Sequence, residues 1–164
     1  FRTRTNAEDI EPALRTTLQK FEHQTGLATH LTIEGDALPL PPDVQVQVLH
    51  VIQEALSNVR KHAGASHVSL EVVKGARWRL TVRDNGTGFD TAHAHGPTHV
   101  GMKIMRERAE RIGAQVDVVS NPTSGTAVTL TLPPYPVAAS GVGTVGLSLP
   151  ADPIAVAENR IPTP

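Results

Sequence analysis

Two pairs of short alternating segments, each joined by a brief turn, are the feature that most restricts how this chain can fold. Residues 67–73 and 78–83 alternate between apolar and polar side chains around a turn at residues 74–76. Residues 115–119 and 127–132 do the same around a turn rich in Asn, Pro, Ser and Gly. Alternation with period two is typical of strands that bury one face, and such short connections favour antiparallel hairpins. The chain therefore contains two predicted hairpins.

The remaining periodic segments are three helices and one strand. Apolar residues recur every three or four positions in residues 8–25, 44–63 and 101–112, whereas residues 27–34 alternate. We expect Gly26 and Gly64 to end the first two helices. There are too few helices and too many hairpins for a doubly wound parallel sheet. The pattern predicts an α/β (α+β) fold, a two-layer sandwich in which helices cover one face of a mixed sheet.

Composition limits the kind of protein this is. The 164 residues are 39% hydrophobic, carry a formal net charge of −1 and include no cysteine. Such a chain can bury one sizeable core, has no overall attraction for nucleic acid, and cannot form disulfides or thiolate metal sites. No apolar run approaches the roughly 20 residues needed to span a bilayer, so we expect no direct membrane contact.

One domain is predicted, with a short segment before it and a tail after it. Residues 8–133 hold every periodic segment, and residues 134–164 are a flexible tail rich in Pro, Ala and Gly. Because the chain begins at Phe1, we interpret residues 1–7 as the end of an upstream linker or dimerisation segment.

A polar stripe follows the second predicted helix. Glu54, Asn58 and His62 are four residues apart, so they lie along one border of its apolar face. A border stripe can point into a cleft, although many are half-exposed polar edges.

A second polar cluster follows the strand at residues 78–83. Asp84 continues the inward phase of Trp78, Leu80 and Val82, which places a carboxylate toward the core. A buried carboxylate needs hydrogen-bond donors, and the exocyclic amine of adenine is one. The alternative is an aspartate that caps a turn, with the glycines that follow as ordinary turn residues.

These clusters resemble the motifs of sensor histidine kinases, and four motifs occur in the family's order. The resemblance covers roughly residues 8–133 and is best for the subfamily that pairs with LuxR-type response regulators, which includes nitrate/nitrite sensors. The family fold is the Bergerat ATP-binding sandwich. The matching segments are Gln53–Asn58 with Lys61–Ala63 (the N box), Asp84–Phe89 (the first glycine box), and His99–Met102 with Met105–Ala109 and Ser124–Thr126 (the later boxes).

The resemblance implies that ATP and Mg²⁺ are the cofactors. Asn58 would ligate Mg²⁺ bridging the phosphates, because hard cations prefer oxygen ligands. Glu54 would be catalytic, polarising or deprotonating the attacking group or a water. Lys61 would lie near phosphate, with an ordinary solvated lysine as an equally favoured alternative, and His62 of the N box would also bind the nucleotide.

The same resemblance assigns the other nucleotide contacts. Asp84 would bind adenine, Gly86 and Gly88 would let the backbone approach it, and Thr126 would border its pocket. His99, Val100, Gly101 and Met102 form the later box, in which Gly101 would begin a helix whose free N–H groups face phosphate oxygens. Residues 91–100 would be a mobile lid over the nucleotide. A zinc site at His93, His95 and His99 is not predicted, since loop histidines are usually solvated.

The resemblance also implies partners. No histidine in this chain has the sequence context of a phosphoacceptor, so the acceptor would lie on a dimerisation domain absent from these residues, with a response regulator downstream. The domain would be cytoplasmic in a parent that is an inner-membrane sensor. Two alternatives remain: an anti-sigma serine kinase of the same superfamily, and an adaptor that binds nucleotide without catalysis.

Overall fold

A five-stranded sheet organises the chain in the computed structural model, which describes residues 9–88 and 96–135. Only the backbone is described for residues 62, 63 and 96–99. The elements in chain order are α1 (Glu11–Thr25), β1 (Ala28–Gly35), α2 (Pro42–Asn58), a π-helical turn (Val59–Ala63), β2 (His67–Lys74), β3 (Arg79–Asp84), α3 (Gly96–Glu110), β4 (Gln115–Asn121) and β5 (Gly125–Thr131).

The sheet is mixed, as the hairpins and the single early strand predict. Its strand order is β1-β2-β3-β5-β4, in which β1 and β2 are parallel and every other pair is antiparallel. Both predicted hairpins, β2–β3 and β4–β5, are confirmed. The parallel pair is possible because α2 carries the chain back to the starting end of the sheet.

The core lies between one face of the sheet and the helices. The inward phase of the strands is buried, and the apolar stripes of the helices pack against it. The opposite face carries polar and charged side chains such as Glu71 and Arg83, whose carboxylate and guanidinium lie 3.6 Å apart. The two-layer arrangement with helices on one face is therefore confirmed. The core residues on β2, β3 and β5 are Val68, Leu70, Val72, Leu80, Val82, Val128 and Leu130.

The helix at residues 44–63 is confirmed, but its last turn differs from the prediction. The α-helix passes into a π-helical turn at Val59, and Gly64 ends the segment with a left-handed φ of 62°. Single π turns occur often at functional sites, because one extra residue changes the direction of the side chains that follow. This turn carries Lys61 and His62.

The third helix begins at Gly96, five residues before the predicted start at Gly101. The prediction was wrong because residues 96–100 lack an apolar period. Pro97, in the first helical turn, was the available signal, since proline fits there without losing a hydrogen bond. Gly101 lies inside the helix, so its N–H group is not at a helix N-terminus. The first part of the predicted lid, residues 91–95, lies outside the described residues, while residues 96–100 are helical.

Both ends of the described chain are attached to the sheet. The Lys74 ammonium lies 3.0 Å from the Asp9 carboxylate and 5.4 Å from the centre of the Trp78 ring. The Tyr135 N–H donates to the Ala76 carbonyl at 2.8 Å. The described chain therefore stays attached to the sheet as far as Tyr135. The predicted upstream segment, residues 1–7, lies outside the described residues, and so does the tail from residue 136 onward.

Gly125 provides a test of how tightly β5 packs against β3. Its φ is 92°, and an added Cβ would collide with the backbone carbonyl of Asp84, whereas a Cβ at Gly75 would meet nothing within 4 Å. We expect Gly125→Ala to lower the free energy of unfolding by about 3 kcal/mol, because strain and collision add. Gly75→Ala, the matched control, should change it by less than about 1 kcal/mol.

The measurement is denaturant unfolding followed by the fluorescence of Trp78, the only tryptophan. Equal unfolding midpoints for the two variants would contradict the close contact between the two strands.

Candidate functional site

The two predicted polar clusters lie at the same end of the sheet. The connection from α2 to β2 is held to the turn after β3 by Asn85, whose Oδ1 accepts hydrogen bonds from the N–H groups of Ser66 and His67 at 2.9 and 3.0 Å. Val68 at the start of β2 pairs with Asp84 at the end of β3. Asn85 therefore has a structural role, and it brings the end of α2 close to the Asp84 turn.

Glu54 and Asn58 face α3 at Gly101. A Cβ built on Gly101 would lie 2.8 Å from Asn58 Oδ1 and 2.9 Å from Glu54 Oε2. Any larger residue would push these side chains away. The missing side chain of Gly101 thus makes room for both polar groups between two helices that pack against each other.

Both side chains are half-buried and have unused hydrogen-bonding capacity. Neither Glu54 nor Asn58 has a hydrogen bond or ion pair with another side chain among the residues that the structure describes. Their oxygens are hard ligands suited to Mg²⁺, which is usually held by one or two protein oxygens together with phosphate oxygens and water. Within residues 9–88 and 96–135, no group of three or more His, Cys, Asp or Glu side chains could hold a metal alone. Glu54 and Asn58 are therefore suited to bind a cation together with phosphate oxygens and water, rather than to enclose a metal ion by themselves.

Asp84 is buried, as its strand phase predicts, with 5% of its surface exposed. Its Oδ1 accepts a hydrogen bond from the Gly86 N–H at 2.8 Å. That bond is the turn-capping interaction of the alternative interpretation, and it coexists with the inward direction that the strand phase predicts. A carboxylate has room for about four donors, and in the described part of the chain this one has a single protein donor. It can accept more from a ligand.

A polar row continues from Asp84 across the inner face of the sheet. Arg83 pairs with Ala127, so the antiparallel register brings Thr126 beside Asp84. Thr126 pairs with Ser120 of β4, and their hydroxyl oxygens are 2.7 Å apart. Gly88 packs so closely on the strand turn that a Cβ would collide with the Asn121 carbonyl. Asp84, Gly86, Gly88 and Thr126 are therefore brought together.

The other predicted site residues have mixed positions. Met102 is buried in the core, Val100 is 53% exposed, and Lys61 is exposed in the π-helical turn. The side chains of His62 and His99, and all of His93 and His95, lie outside the described residues. Of the residues that the resemblance assigns to the later box, the structure brings Gly101 directly against Glu54 and Asn58.

Sequence reasoning missed two polar residues here. Ser120 follows Val116 and Val118 in the inward phase of β4, so the alternation that located Asp84 could also have found it. His50 lies one helical turn before Glu54, and its Nδ1 is buried without a hydrogen-bond partner in the described part of the chain. Its four-residue spacing from Glu54 was the available signal.

Comparison with known proteins places this geometry in a family. The profile described as "Histidine kinase-, DNA gyrase B-, and HSP90-like ATPase" matches residues 43–136. The chain is 37% identical over 128 residues to the nitrate/nitrite sensor protein NarQ of Escherichia coli (strain K12), covering 76% of this chain and 22% of that protein. It is 30% identical over 123 residues to the signal transduction histidine-protein kinase/phosphatase DegS of Brevibacillus brevis, covering 74% and 32%. The chain thus spans a third or less of these relatives.

Solved structures share the fold. The histidine kinase domain of the blue-light activated histidine kinase of Erythrobacter litoralis EL346 superposes with a TM-score of 0.61 at 19% identity. The match covers 78% of this chain and 62% of that one.

Gly101→Ala tests the contact between α2 and α3. Alanine stabilises a helix interior by about 1 kcal/mol relative to glycine, so propensity alone would not harm the fold. The added Cβ would displace Glu54 and Asn58, and we expect the affinity for Mg-ATP to fall by about tenfold or more while the helix content measured by circular dichroism is retained. Titration calorimetry with Mg-ATP measures the affinity, and Gly75→Ala is the control. Unchanged affinity in Gly101→Ala would show that the position of these two side chains does not matter for nucleotide binding.

Proposed function

Since this chain belongs to the family of histidine kinase-, DNA gyrase B- and HSP90-like ATPases, we propose that it is the ATP-binding catalytic domain of a sensor histidine kinase. It passes the γ-phosphoryl group of ATP to a histidine on a dimerisation domain of the parent protein. The observation that carries the proposal is the contact of Gly101 with Glu54 and Asn58, close to the end of the sheet where Asp84 is buried. The relatives named above favour a sensor kinase over a serine kinase.

Adenine binds beside the Asp84 turn. The buried carboxylate accepts a hydrogen bond from the exocyclic amine, which adds a second donor to the one that the Gly86 N–H supplies. Gly86 and Gly88 keep the neighbouring backbone free of side chains. Thr126 lies next to Asp84 and adds a hydroxyl to the same pocket wall.

The phosphates lie between the end of α2 and α3. Asn58 would hold Mg²⁺ through its amide oxygen, and the cation would supply positive charge that stabilises the phosphate oxygens. In this proposal Lys61 on the π-helical turn and Val100 in α3 lie near the phosphate chain, and His62 and His99 belong to the same two segments. Met102 is buried in the core, so it anchors α3 to the rest of the domain by packing and does not contact the nucleotide in this proposal.

Glu54 acts on the acceptor. An imidazole nitrogen of the acceptor histidine attacks the γ-phosphorus, a P–N bond forms, and ADP leaves with the electrons of the broken P–O bond. The Glu54 carboxylate hydrogen-bonds the N–H of the attacking ring, which raises the nucleophilicity of the ring and takes up its proton. A positioned base of this kind contributes about 10²–10⁴ to the rate.

The domain works as one part of a signalling protein. The phosphohistidine passes its phosphoryl group to a response regulator, and nucleic acid is not a ligand of this domain. We place the domain in the cytoplasm, where ATP is available, within a parent that is an inner-membrane sensor. In the described ranges, no helix is both long and apolar enough to cross a bilayer.

Asp84→Ala tests the adenine assignment. We expect the affinity for ATP to fall by at least tenfold, because a hydrogen bond to a charged group contributes about 1.5–3 kcal/mol. The matched control is Asp117→Ala, which removes an exposed carboxylate from β4. Calorimetric titration with Mg-ATP measures both variants. If wild-type protein shows no binding, the proposed function is wrong, and if Asp84→Ala binds as wild type does, the adenine assignment alone is wrong.

Glu54→Ala and Asn58→Ala separate catalysis from binding. We expect Glu54→Ala to slow phosphoryl transfer to a matching dimerisation domain by about 100-fold, with the ATP affinity changed by less than about threefold. Asn58→Ala should instead weaken binding of Mg-ATP while leaving the affinity for metal-free ATP unchanged. Radiolabelled transfer assays and calorimetry with and without EDTA give the two quantities. Equal losses of rate and affinity in Glu54→Ala would exclude a role for Glu54 in the transfer step.

A further inference from the structure

Two hydroxyl groups form a pair on the inner face of the sheet, at the end where the Asp84 turn lies. The Oγ of Ser120, on β4, is 2.7 Å from the Oγ1 of Thr126, on β5, and both side chains are partly buried. Their backbones are cross-strand partners, and the next pair on the same face is Val118 with Val128. The hydroxyl pair therefore takes the place of an apolar pair where the core ends.

Thr126 lies between Ser120 and the buried carboxylate of Asp84. The order of these strands is β3-β5-β4, so Ser120 is two strand spacings, about 10 Å, from the backbone of β3. Gly125, the residue before Thr126, packs so closely on β3 that a Cβ there would lie 3.1 Å from Asp84 Oδ1. A ligand that hydrogen-bonds to Asp84 therefore has Thr126 beside it, and Ser120 reaches that ligand only through Thr126.

The direction of the hydrogen bond within the pair decides what Thr126 offers to a ligand. Each hydroxyl has one proton and two lone pairs, and at 2.7 Å either oxygen can be the donor. If Thr126 donates to Ser120, only lone pairs of Thr126 face the ligand. If Ser120 donates to Thr126, the Thr126 proton is available to a ligand acceptor. A hydroxyl that accepts one hydrogen bond is also polarised into a stronger donor for the next.

We propose that Ser120 is a positioning residue for base recognition: it donates to the Thr126 hydroxyl and thereby directs the Thr126 proton to the ring nitrogen N1 of adenine. The inference rests on the proposed function, because it requires adenine beside Asp84. The exocyclic amine and N1 are neighbours on one edge of the base, and N1 is an acceptor. When the amine donates to Asp84, N1 lies next to the amine on the side of Thr126. The acceptor N1 selects Thr126 as donor, which leaves a Thr126 lone pair for the Ser120 proton.

Nucleotides that differ at a single ring atom test this role. The 164-residue chain is titrated calorimetrically with the magnesium complexes of ATP, 1-deaza-ATP and 7-deaza-ATP. All three keep the exocyclic amine for Asp84, whereas a C–H group replaces N1 in 1-deaza-ATP and N7 in 7-deaza-ATP. We expect wild-type protein to bind 1-deaza-ATP about fivefold or more weakly than ATP, because one hydrogen bond is lost. The Kd for 7-deaza-ATP should stay within about twofold of that for ATP.

Ser120→Ala should weaken ATP about threefold or more and leave 1-deaza-ATP unchanged, so that the preference for ATP falls toward one. Ser120→Thr keeps a hydroxyl on β4 and should restore the preference. The matched control is Thr129→Val, which removes one hydroxyl from a second cross-strand pair, Thr81 with Thr129, whose oxygens are 3.2 Å apart on the opposite face of the sheet. It should change neither affinity by more than about twofold. Denaturant unfolding followed by Trp78 fluorescence checks that each variant is folded.

A double variant shows whether Ser120 acts through Thr126. Thr126→Val removes the hydroxyl that would contact N1, so adding Ser120→Ala to it should not weaken ATP further, whereas independent effects would add.

The outcomes separate this inference from the proposed function. Absence of ATP binding in wild-type protein would refute the proposed function. If wild type binds ATP, the role of Ser120 alone is overturned by any of three results. These are an equal affinity of wild type for ATP and 1-deaza-ATP, an unchanged preference or an equal weakening of both nucleotides in Ser120→Ala, and additive losses in the double variant.

Discussion

The packing of α3 against α2 at Gly101 is the contact on which the candidate site depends. Packed helices are usually separated by the side chains at their interface, with axes 8–10 Å apart. Here one helix contributes no side chain at the contact, and the space is filled by the polar ends of Glu54 and Asn58. A glycine in a helix interior costs about 1 kcal/mol relative to alanine. In return, two half-buried oxygen-bearing side chains are held side by side without using up their hydrogen-bonding capacity.

The alternation of side chains along β3 places the second polar cluster of the candidate site. The alternation that buries Leu80 and Val82 also carries Asp84 to the inner face, at the end of the strand where the apolar core gives way to the turn. Across the sheet, Thr126 and Ser120 continue a polar row at the same level. Burial of a carboxylate is unfavourable unless hydrogen-bond donors surround it. A ligand that donates a hydrogen bond to Asp84 therefore gains affinity, because the fold already holds this carboxylate in place.

The helix α2 contacts three neighbouring elements, because successive side chains along a helix are rotated by about 100° about its axis. Its apolar stripe faces the sheet, the border with Glu54 and Asn58 faces α3, and the next border, with Gln53 and Ser57, lies beside α1. The π-helical turn that follows Asn58 adds one residue to the helical turn, which rotates the side chains that come after it.

Local patterns account for the parts of this protein that could be predicted. Period-two alternation located the hairpins, helical periodicity located α1 and α2, and strand phase alone was enough to bury Asp84. The sequence by itself thus determined the elements, their order and the inward direction of the main polar residues, because each depends on neighbours within one element. The start of α3, the π-helical turn and the close approach at Gly101 were decided by the tertiary structure. Each of these features depends on which elements pack together, and the periodicity within one segment carries no information about its packing partners.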